Sequence, residues 1–430
     1  MADAAMPGAL PVLGHLPWLR WRPLEFVERQ RALGAVTSFS LRRHPAYLVN
    51  DPAVVWRLLT ELSGDVGRGR TGDKTRALTG NGLGSSDGDF HRQQRQLIQP
   101  VFHRERVESC VPAVRQAAEQ QASRWTEGEP VDLVRQMLAV AATGVLATLF
   151  GVRSPEAMAH EVAAALPTCL DIASRRAFAS TRLPSTGGRR YAAALGRLHA
   201  VADALGRRVP GGPAEAPSFF LSRLWEAQDL GLPGLDDQQV HDEIMTMLVA
   251  GVETVATTVC WTFYLLGRHP DIAVRVEDEI GRAAGDLTEL SHLRRVVRES
   301  LRLFPPVWLV RRRAAAPLHL GGQEVGVGAS VYFSPYGLHR DPRWYTDPER
   351  FDPDRWLPGR MRGLPRGAYV PFGAGVHRCV GEAFGVSEVM TILASIGARW
   401  RVVPAPARVR PKAVVTLRPD RMPVTVHRRP

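Results

Sequence analysis

Lysine is nearly absent from this chain. Of 55 basic residues, set against 43 acidic ones, only Lys74 and Lys412 are lysines, so arginine carries almost all of a formal charge of +12. Nucleic-acid binders are often this basic. Here the arginines are spread along the chain without a basic tail, which points to coding bias and away from a nucleic-acid partner. Cysteine is scarce as well. Cys110, Cys169, Cys260 and Cys379 are scattered and show no Cys-x-x-Cys spacing, which argues against a disulfide framework or a zinc site. No apolar run reaches the about 20 residues that span a bilayer. Met1 to Leu16 is punctuated by Pro and Gly and lacks a basic stretch leading into an apolar one. Internal repeats are missing too. The expectation is a cytoplasmic protein without a membrane span. What the chain does have is 430 residues, 45% of them hydrophobic. That suffices for a sizeable core, read as one domain over 1–430.

The most informative stretch is Pro371 to Gly381, Pro-Phe-Gly-Ala-Gly-Val-His-Arg-Cys-Val-Gly. Gly373 and Gly375 let the backbone turn tightly and approach a flat ligand where a Cβ would clash. An apolar helical pattern follows over about Glu382–Ile396, so Cys379 sits just before a helix start, where backbone N–H groups favour a thiolate. His377 and Arg378 add basic groups beside it. A thiolate so held is a nucleophile, a redox thiol or an axial ligand to haem iron.

The spacing Phe-Gly-x-Gly-x-His-x-Cys-x-Gly at Phe372, Gly373, Gly375, His377, Cys379 and Gly381 resembles the haem-binding loop of the cytochrome P450 family. The resemblance implies that Cys379 is the proximal ligand of a haem b (iron protoporphyrin IX), its thiolate pushing electron density onto iron.

Upstream, residues 8–50 read as an entry loop, an amphipathic helix around Leu24–Leu33 and two strands near Val36–Leu41 and Ala46–Val49. Asp51 caps a helix through about Leu62. Ser63 to Gly88 reads as a long loop of the kind that covers a ligand pocket. Asp89 opens the next helix, with His91 and Arg95 one turn apart on one face. His91-x-x-x-Arg95, followed by Phe102, is similar to the family's helix that binds the haem propionates, two carboxylates that need charged or hydrogen-bonding partners. Helices follow over Val107–Trp125 and Val131–Phe150. Two more lie within 154–217 around a loop containing Pro184, Gly187 and Gly188, a varied region consistent with a flexible lid.

Asp236 and Asp237 precede a helix running to about Gly267. Its middle is apolar except for Glu253 and Thr254. A buried carboxylate is costly unless it is partnered or has a task. Gly251 removes bulk where a small molecule reaches the backbone, and such a spot tolerates a bulge in the helix. Ala-Gly-x-Glu-Thr resembles the family's oxygen-activating segment. There the alcohol, here Thr254, contacts dioxygen, and the acid, here Glu253, relays protons from solvent. Without the resemblance, Thr254 is a helix residue bonding back to a carbonyl, and Cys260 reads as core packing.

Glu299 and Arg302 are i, i+3 partners late in a helix that ends before Pro305-Pro306. With Phe351-Asp-Pro-Asp-Arg355-Trp356 they resemble the family's buried charge triad, giving Glu299, Arg302 and Arg355 a structural role, with Arg350 the weaker third member. Val307–Val310 is extended and apolar, and Arg311, Arg312 and Arg313 follow. By resemblance one of these binds a propionate, and the register favours Arg312. Strands follow at Leu318–Leu320, Glu324–Val327 and Ser330–Phe333, with further strand-like runs at Val414–Leu417 and Pro423–His427.

The fold implied is mainly α with a small β region, haem lying between the long central helix and the Cys-loop helix. The implied reaction puts one oxygen atom from O2 into a C–H bond. Electrons come from NAD(P)H through a ferredoxin reductase and a ferredoxin, which a basic face including Arg92 and Arg378 would receive. Leu248, Val249, Ala250, Val307, Leu309 and Val310 are the expected substrate lining, suited to a lipophilic molecule. Ser334-Pro-Tyr and Phe-Asp-Pro-Asp-Arg-Trp-Leu-Pro look like actinobacterial terpene-oxidising members of the family. They suggest a terpenoid, a sesquiterpene first, in secondary metabolism. The alternatives are a macrolide (polyketide) or fatty-acid hydroxylase, a peroxide-using haem-thiolate enzyme, or a haem sensor or carrier without turnover.

Overall fold

The computed structural model describes residues 5–68, 72–178, 187–208 and 218–429, so Pro184 lies outside the described residues. The chain gathers into two compact units. One comprises Met1–Asp73, Arg298–Cys379 and Val415–Leu417, the other Lys74–Val297, Val380–Val414 and Arg418–Pro430.

The first unit holds a five-stranded sheet in the order Val36–Leu41, His44–Val49, Ser330–Phe333, Val310–Ala314, Val66–Gly67. Val36 pairs with Val49 in an antiparallel hairpin, and Ala46 pairs with Ser330 in the parallel ladder beside it. β-Branched and aromatic residues suit this pleated surface. Val49, Val331 and Phe333 on the strands meet Val55 and Leu58 of the helix Pro52–Leu59 in one apolar cluster. Asp51 caps that helix through Oδ1, which accepts from the N–H groups of Ala53 and Val54 at 2.9 and 3.1 Å. The helix stops at Leu59, short of the expected Leu62. The Leu62 N–H turns back to the Arg57 carbonyl, a wider closure than an α-helix makes.

The second unit is mainly helical. Its longest element, Asp237–Arg268, is an unbroken helix of 32 residues capped by Asp236, whose Oδ1 accepts from Gln239 N at 2.8 Å. It would extend about 48 Å. By length and hydropathy it would pass as a membrane span, but 78% of its apolar window is buried inside the protein. It is a core helix. The helices Leu133–Thr148, Gly188–Gly206 and Glu382–Gly397 pack on it. A three-stranded sheet closes the unit, with Pro423–Arg428 between Pro130–Asp132 and Trp400–Pro404.

Within Ser63–Gly88 the described residues include regular elements that the composition did not suggest. They are the strand Val66–Gly67 and the helix Gly72–Thr79. Two carboxylates on the long helix account for part of this. Asp242 accepts from Asn81 N at 2.6 Å and Glu243 from Leu83 N at 3.0 Å, so turns that looked unpaired in sequence are tied down. The next helix runs Gly88–Ile98, with Asp87 at the cap position and Asp89 in its first turn.

Candidate active site

In the first unit, the loop from Pro371 to Cys379 is held by its own backbone. Gly373 N donates to Val370 O at 3.1 Å, Arg378 N to Gly375 O at 3.1 Å, and Cys379 N to Phe372 O at 2.8 Å. Gly375 has φ +65°, and a Cβ there would fall 1.9 Å from the carbonyl oxygen of Leu59. Only glycine lets the loop sit so close on the end of that helix. The loop's entrance is pinned by a histidine outside any motif read from the sequence. His339, fully buried, accepts from Val370 N through Nε2 at 3.0 Å. Burial and the nearby Arg302 and Arg340 cations push its imidazole down to about 3, so it stays a neutral acceptor. His377 receives a contact from Arg68, Nη2 to Nδ1 at 3.2 Å, which the sequence did not suggest.

The four thiols differ sharply. Cys169 and Cys260 are buried and Cys110 half-buried, whereas Cys379 is exposed. Burial raises the Cys169 thiol to about 11 and raises Cys260 further. Burial also raises Cys110, with the nearby Glu388 adding to it. Those three stay protonated at neutral pH.

The three consecutive arginines separate by environment. Arg311 donates twice to Ser330 Oγ and Arg313 to the Gly328 carbonyl. Arg312 is 8% exposed and shares the inner face of its strand with Ala314. Of the expected apolar lining before them, Leu309 and Val310 are half-buried and Val307 is exposed.

The charge cluster is built as expected and with more members. Arg302 grips Glu299 through two hydrogen bonds of 2.8 Å, both side chains fully buried. Arg355 Nε donates to Glu299 Oε1 at 3.3 Å. Trp356 Nε1 and Asp352 N add donors at 2.8 and 3.1 Å. Arg302 also donates to the carbonyls of His339, Pro348 and Arg350. Arg350 therefore contributes its backbone, and Arg355 its side chain. Neither Trp356 nor the carbonyls were signalled by charge pattern.

In the second unit, His91 is buried with Nδ1 3.4 Å from Ser86 Oγ, and Arg95, half-buried, follows one turn on. Phe102 stacks edge-on against Phe384 at 5.9 Å, and a Cβ on Gly381 would approach the Phe102 ring to 3.4 Å. On the long helix, Leu248 turns into the core, while Val249 is half-buried and Ala250 exposed. A step of roughly 100° per residue separates them. Gly251 serves helix packing: a Cβ there would lie 2.9 Å from Val145 on the neighbouring helix. This packing role adds to the one expected from sequence, and the helix passes Gly251 without a bulge.

Thr254, half-buried, donates through Oγ1 to the Ala250 carbonyl at 2.6 Å. Thr258 and Thr262 repeat that bond one and two turns on. Glu253 is 1% exposed, and its Oε1 lies 3.5 Å from Arg418 Nε. Arg418 in turn donates to Asp171 at 2.6 Å. Sequence reasoning missed both, since neither lies in a recognisable pattern.

Comparison with known proteins gives the context for this geometry. The family model described as cytochrome P450 matches residues 5–420. Cyclooctat-9-en-7-ol 5-monooxygenase of Streptomyces melanosporofaciens is 37% identical over 93% of this chain and 89% of its own length. Pentalenene oxygenase of Streptomyces avermitilis is 34% identical over 96% of this chain and 94% of its own. Among solved structures, a six-coordinated cytochrome P450 from Thermus thermophilus superposes with a TM-score of 0.76 at 27% identity, covering 94% of this chain and 98% of that one. The exposed cysteine in its glycine turn, the helix bearing the acid–alcohol pair and the buried Glu–Arg cluster thus sit in a chain that belongs to the cytochrome P450 family and is a cytochrome P450 monooxygenase.

Proposed function

We propose that this chain hydroxylates a lipophilic terpenoid in secondary metabolism, with Cys379 as the proximal thiolate of a haem. The observation that carries the reading is the contrast among the thiols: Cys379 alone is exposed, in a turn whose glycines let it approach a neighbouring helix end. The donor set suits a haem. Cys379 would hold its iron through the thiolate, and His91, Arg95, Arg312 and His377 would be the basic groups offered to its propionates, with Phe372 and Gly373 in the cysteine loop leaving room for it. Bound there, the haem supplies reductive activation of dioxygen. Glu253 holds a proton at its carboxylate and passes it inward. Thr254 exchanges its bond to the Ala250 carbonyl for one toward the reacting oxygen. Val249 and Ala250 on the long helix, and Val307, Leu309 and Val310 in the first unit, would offer apolar surface to substrate, while Leu248 turns into the core of its own unit. Electrons come from NAD(P)H through a ferredoxin reductase and a ferredoxin in the cytoplasm.

The first test is the spectrum of the dithionite-reduced protein with carbon monoxide. A Soret band at the thiolate-ligated position is expected, moving to the histidine-ligated position in Cys379→His. No haem uptake would remove the reading. For the substrate, the relatives named for pentalenene and cyclooctat-9-en-7-ol favour a terpenoid. Titrating the ferric protein with a hydrocarbon sesquiterpene is expected to displace the iron-bound water. A response to a macrolide and none to the terpene would transfer the assignment.

A further inference from the structure

Two helices of the second unit are joined by a pair of histidines. His199 Nδ1, on Gly188–Gly206, lies 2.8 Å from His241 Nε2 near the start of the long helix. The ring planes are 21° apart with centroids at 5.0 Å, and a 2.8 Å contact between facing nitrogens is a hydrogen bond, not a van der Waals touch. At the other side of its ring, His241 Nδ1 lies 2.9 Å from Asp203 Oδ1. Asp203 stands one turn beyond His199, so the helix Gly188–Gly206 holds His241 at both ring nitrogens. The Asp203 side chain is 59% exposed and that of His241 16%, which leaves the pair open to protons from solvent.

This arrangement has room for only so many protons. A carboxylate accepts, so His241 Nδ1 carries a hydrogen toward Asp203. The 2.8 Å contact holds one further hydrogen, between Nε2 of His241 and Nδ1 of His199. With both rings neutral, His199 donates it. With one positive charge on the pair, His241 donates at both of its nitrogens and His199 accepts. With two charges, an N–H faces an N–H and no bond exists.

We propose that His199, His241 and Asp203 form an acid-released clasp between the helix Gly188–Gly206 and the long helix. It stays closed through the first proton, and the second parts the rings and frees one helix from the start of the other. The sequence reads as a flexible lid within 154–217, and the clasp supplies that lid with a latch. Neither Cys379 nor Glu253 takes part, so the clasp stands or falls separately from the haem reading.

Burial holds the His199 ring below the ordinary histidine value of 6.5, with His241 adding to the effect and Asp203 and Asp242 opposing it. The unfolded chain therefore takes up this proton more readily than the folded one. What the clasp contributes to stability is present above 6.5 and is lost as pH falls below it.

The other charges around the pair have their own engagements. Asp242 accepts from Asn81 N at 2.6 Å and from Gln238 at 2.9 Å, and Glu243 accepts from Leu83 N at 3.0 Å. The helix Glu156–Phe178 packs along Gly188–Gly206. On it, Glu161 lies 3.7 Å from Arg197, while Glu156 and His160 open into a groove with Arg124 and with Arg135 of Leu133–Thr148. Glu388 of Glu382–Gly397 sits at Gly144, whose neighbour Val145 meets Gly251 roughly three turns along the long helix. Glu243 responds with the opposite sign. Burial raises its carboxyl to about 7, so acid keeps it protonated and the turns at Asn81 and Leu83 stay tied.

Opening takes up one proton, so the open population rises about tenfold for each pH unit below the transition. The measurement is backbone hydrogen exchange of the holoenzyme between pH 5 and 8, read by mass spectrometry and corrected for the intrinsic rate. Peptides covering Gly188–Gly206 and the first turns of the long helix are expected to exchange about tenfold faster at pH 5 than at pH 7, with Asn81 and Leu83 unchanged. His199→Asn and His241→Gln each place an amide at the shared contact. An amide donates or accepts, so the bond persists whichever state the remaining histidine takes. Both variants are expected to stay protected at pH 5, and the double variant to gain nothing further, because two members of one clasp do not act additively. Should one variant fail to fold, the other and the parent profile still decide. A parent profile without pH dependence, or an acid loss that the variants keep, overturns the proposal. So does a loss spread evenly over the second unit, which would mark general acid unfolding.

Discussion

Glu299 shows what one residue can hold in place. Its carboxylate accepts from Arg302, Arg355, Trp356 and the backbone of Asp352, all within the first unit. A buried ion pair of this kind adds little over a well-packed apolar substitute, but removing one partner leaves the other charge buried and unmatched. Glu299→Ala strands the fully buried Arg302 and is expected to cost about 3–5 kcal/mol, read as a lower urea midpoint with haem lost early in the transition. Arg355→Ala, on the partly open side of the cluster, is expected to cost less than Glu299→Ala in the same measurement. Arg302 and Arg355 were legible in the sequence because charge spacing and a Phe-x-Pro-x-Arg run mark them. Trp356 was not, because an indole N–H aimed at a carboxylate 57 residues away leaves no local pattern. Arg418 and Asp171 escaped for the same reason.

At the scale of elements, the start of the long helix and the turns after Thr79 depend on each other through Asp242 and Glu243. Glu243 is fully buried, and burial pushes its carboxyl up to about 7, against the Leu83 N–H and Gln239 amide bonds that favour its charged form. The folded state therefore binds a proton more tightly than the unfolded chain does. Between the ordinary carboxylate value of 4.5 and about 7 the unfolded chain has released that proton while the folded protein retains it, so stability falls as pH rises through this window. The loss is at most about 3 kcal/mol. Glu243→Gln keeps the shape and cannot ionise, so its unfolding midpoint is expected to decline less between pH 5 and 8 than that of the parent. Hydrogen exchange at Asn81 and Leu83 reports whether the turns stay closed. The sequence foretold both ends of the long helix to within a residue or two, since Asp236 caps it and apolar periodicity persists along it. It did not foretell the strand Val66–Gly67 or the turns tied down at Asn81 and Leu83. There the ordering bonds come from carboxylates far along the chain, and local composition alone suggests a loop.

For the whole molecule, the formal charge of +12 outweighs any single ion pair in its reach. Arg92 and Arg378 are both exposed, the first paired with Asp89 within its own helix. Attraction between a basic protein and an acidic electron donor is screened over about 8–10 Å at ordinary ionic strength. The rate of first-electron transfer from an acidic ferredoxin is expected to drop several-fold between about 20 and 200 mM salt, with stopped-flow reduction as the readout. A rate indifferent to salt would exclude electrostatic steering. The overall architecture was legible because four motifs stand in the family's order. The divided reach of Arg418 was not, because it depends on which side chains meet once the chain is folded.

The unequal burial of the four cysteines makes the polypeptide its own gauge of cofactor loading. Cys169 and Cys260 are buried, and they and the half-buried Cys110 are held protonated, so on the function proposed above a fast alkylating reagent is expected to reach chiefly Cys379 in molecules that lack haem and to be blocked there in molecules that carry it. The burst of label incorporated in a preparation thus counts its empty molecules directly, without a spectrum.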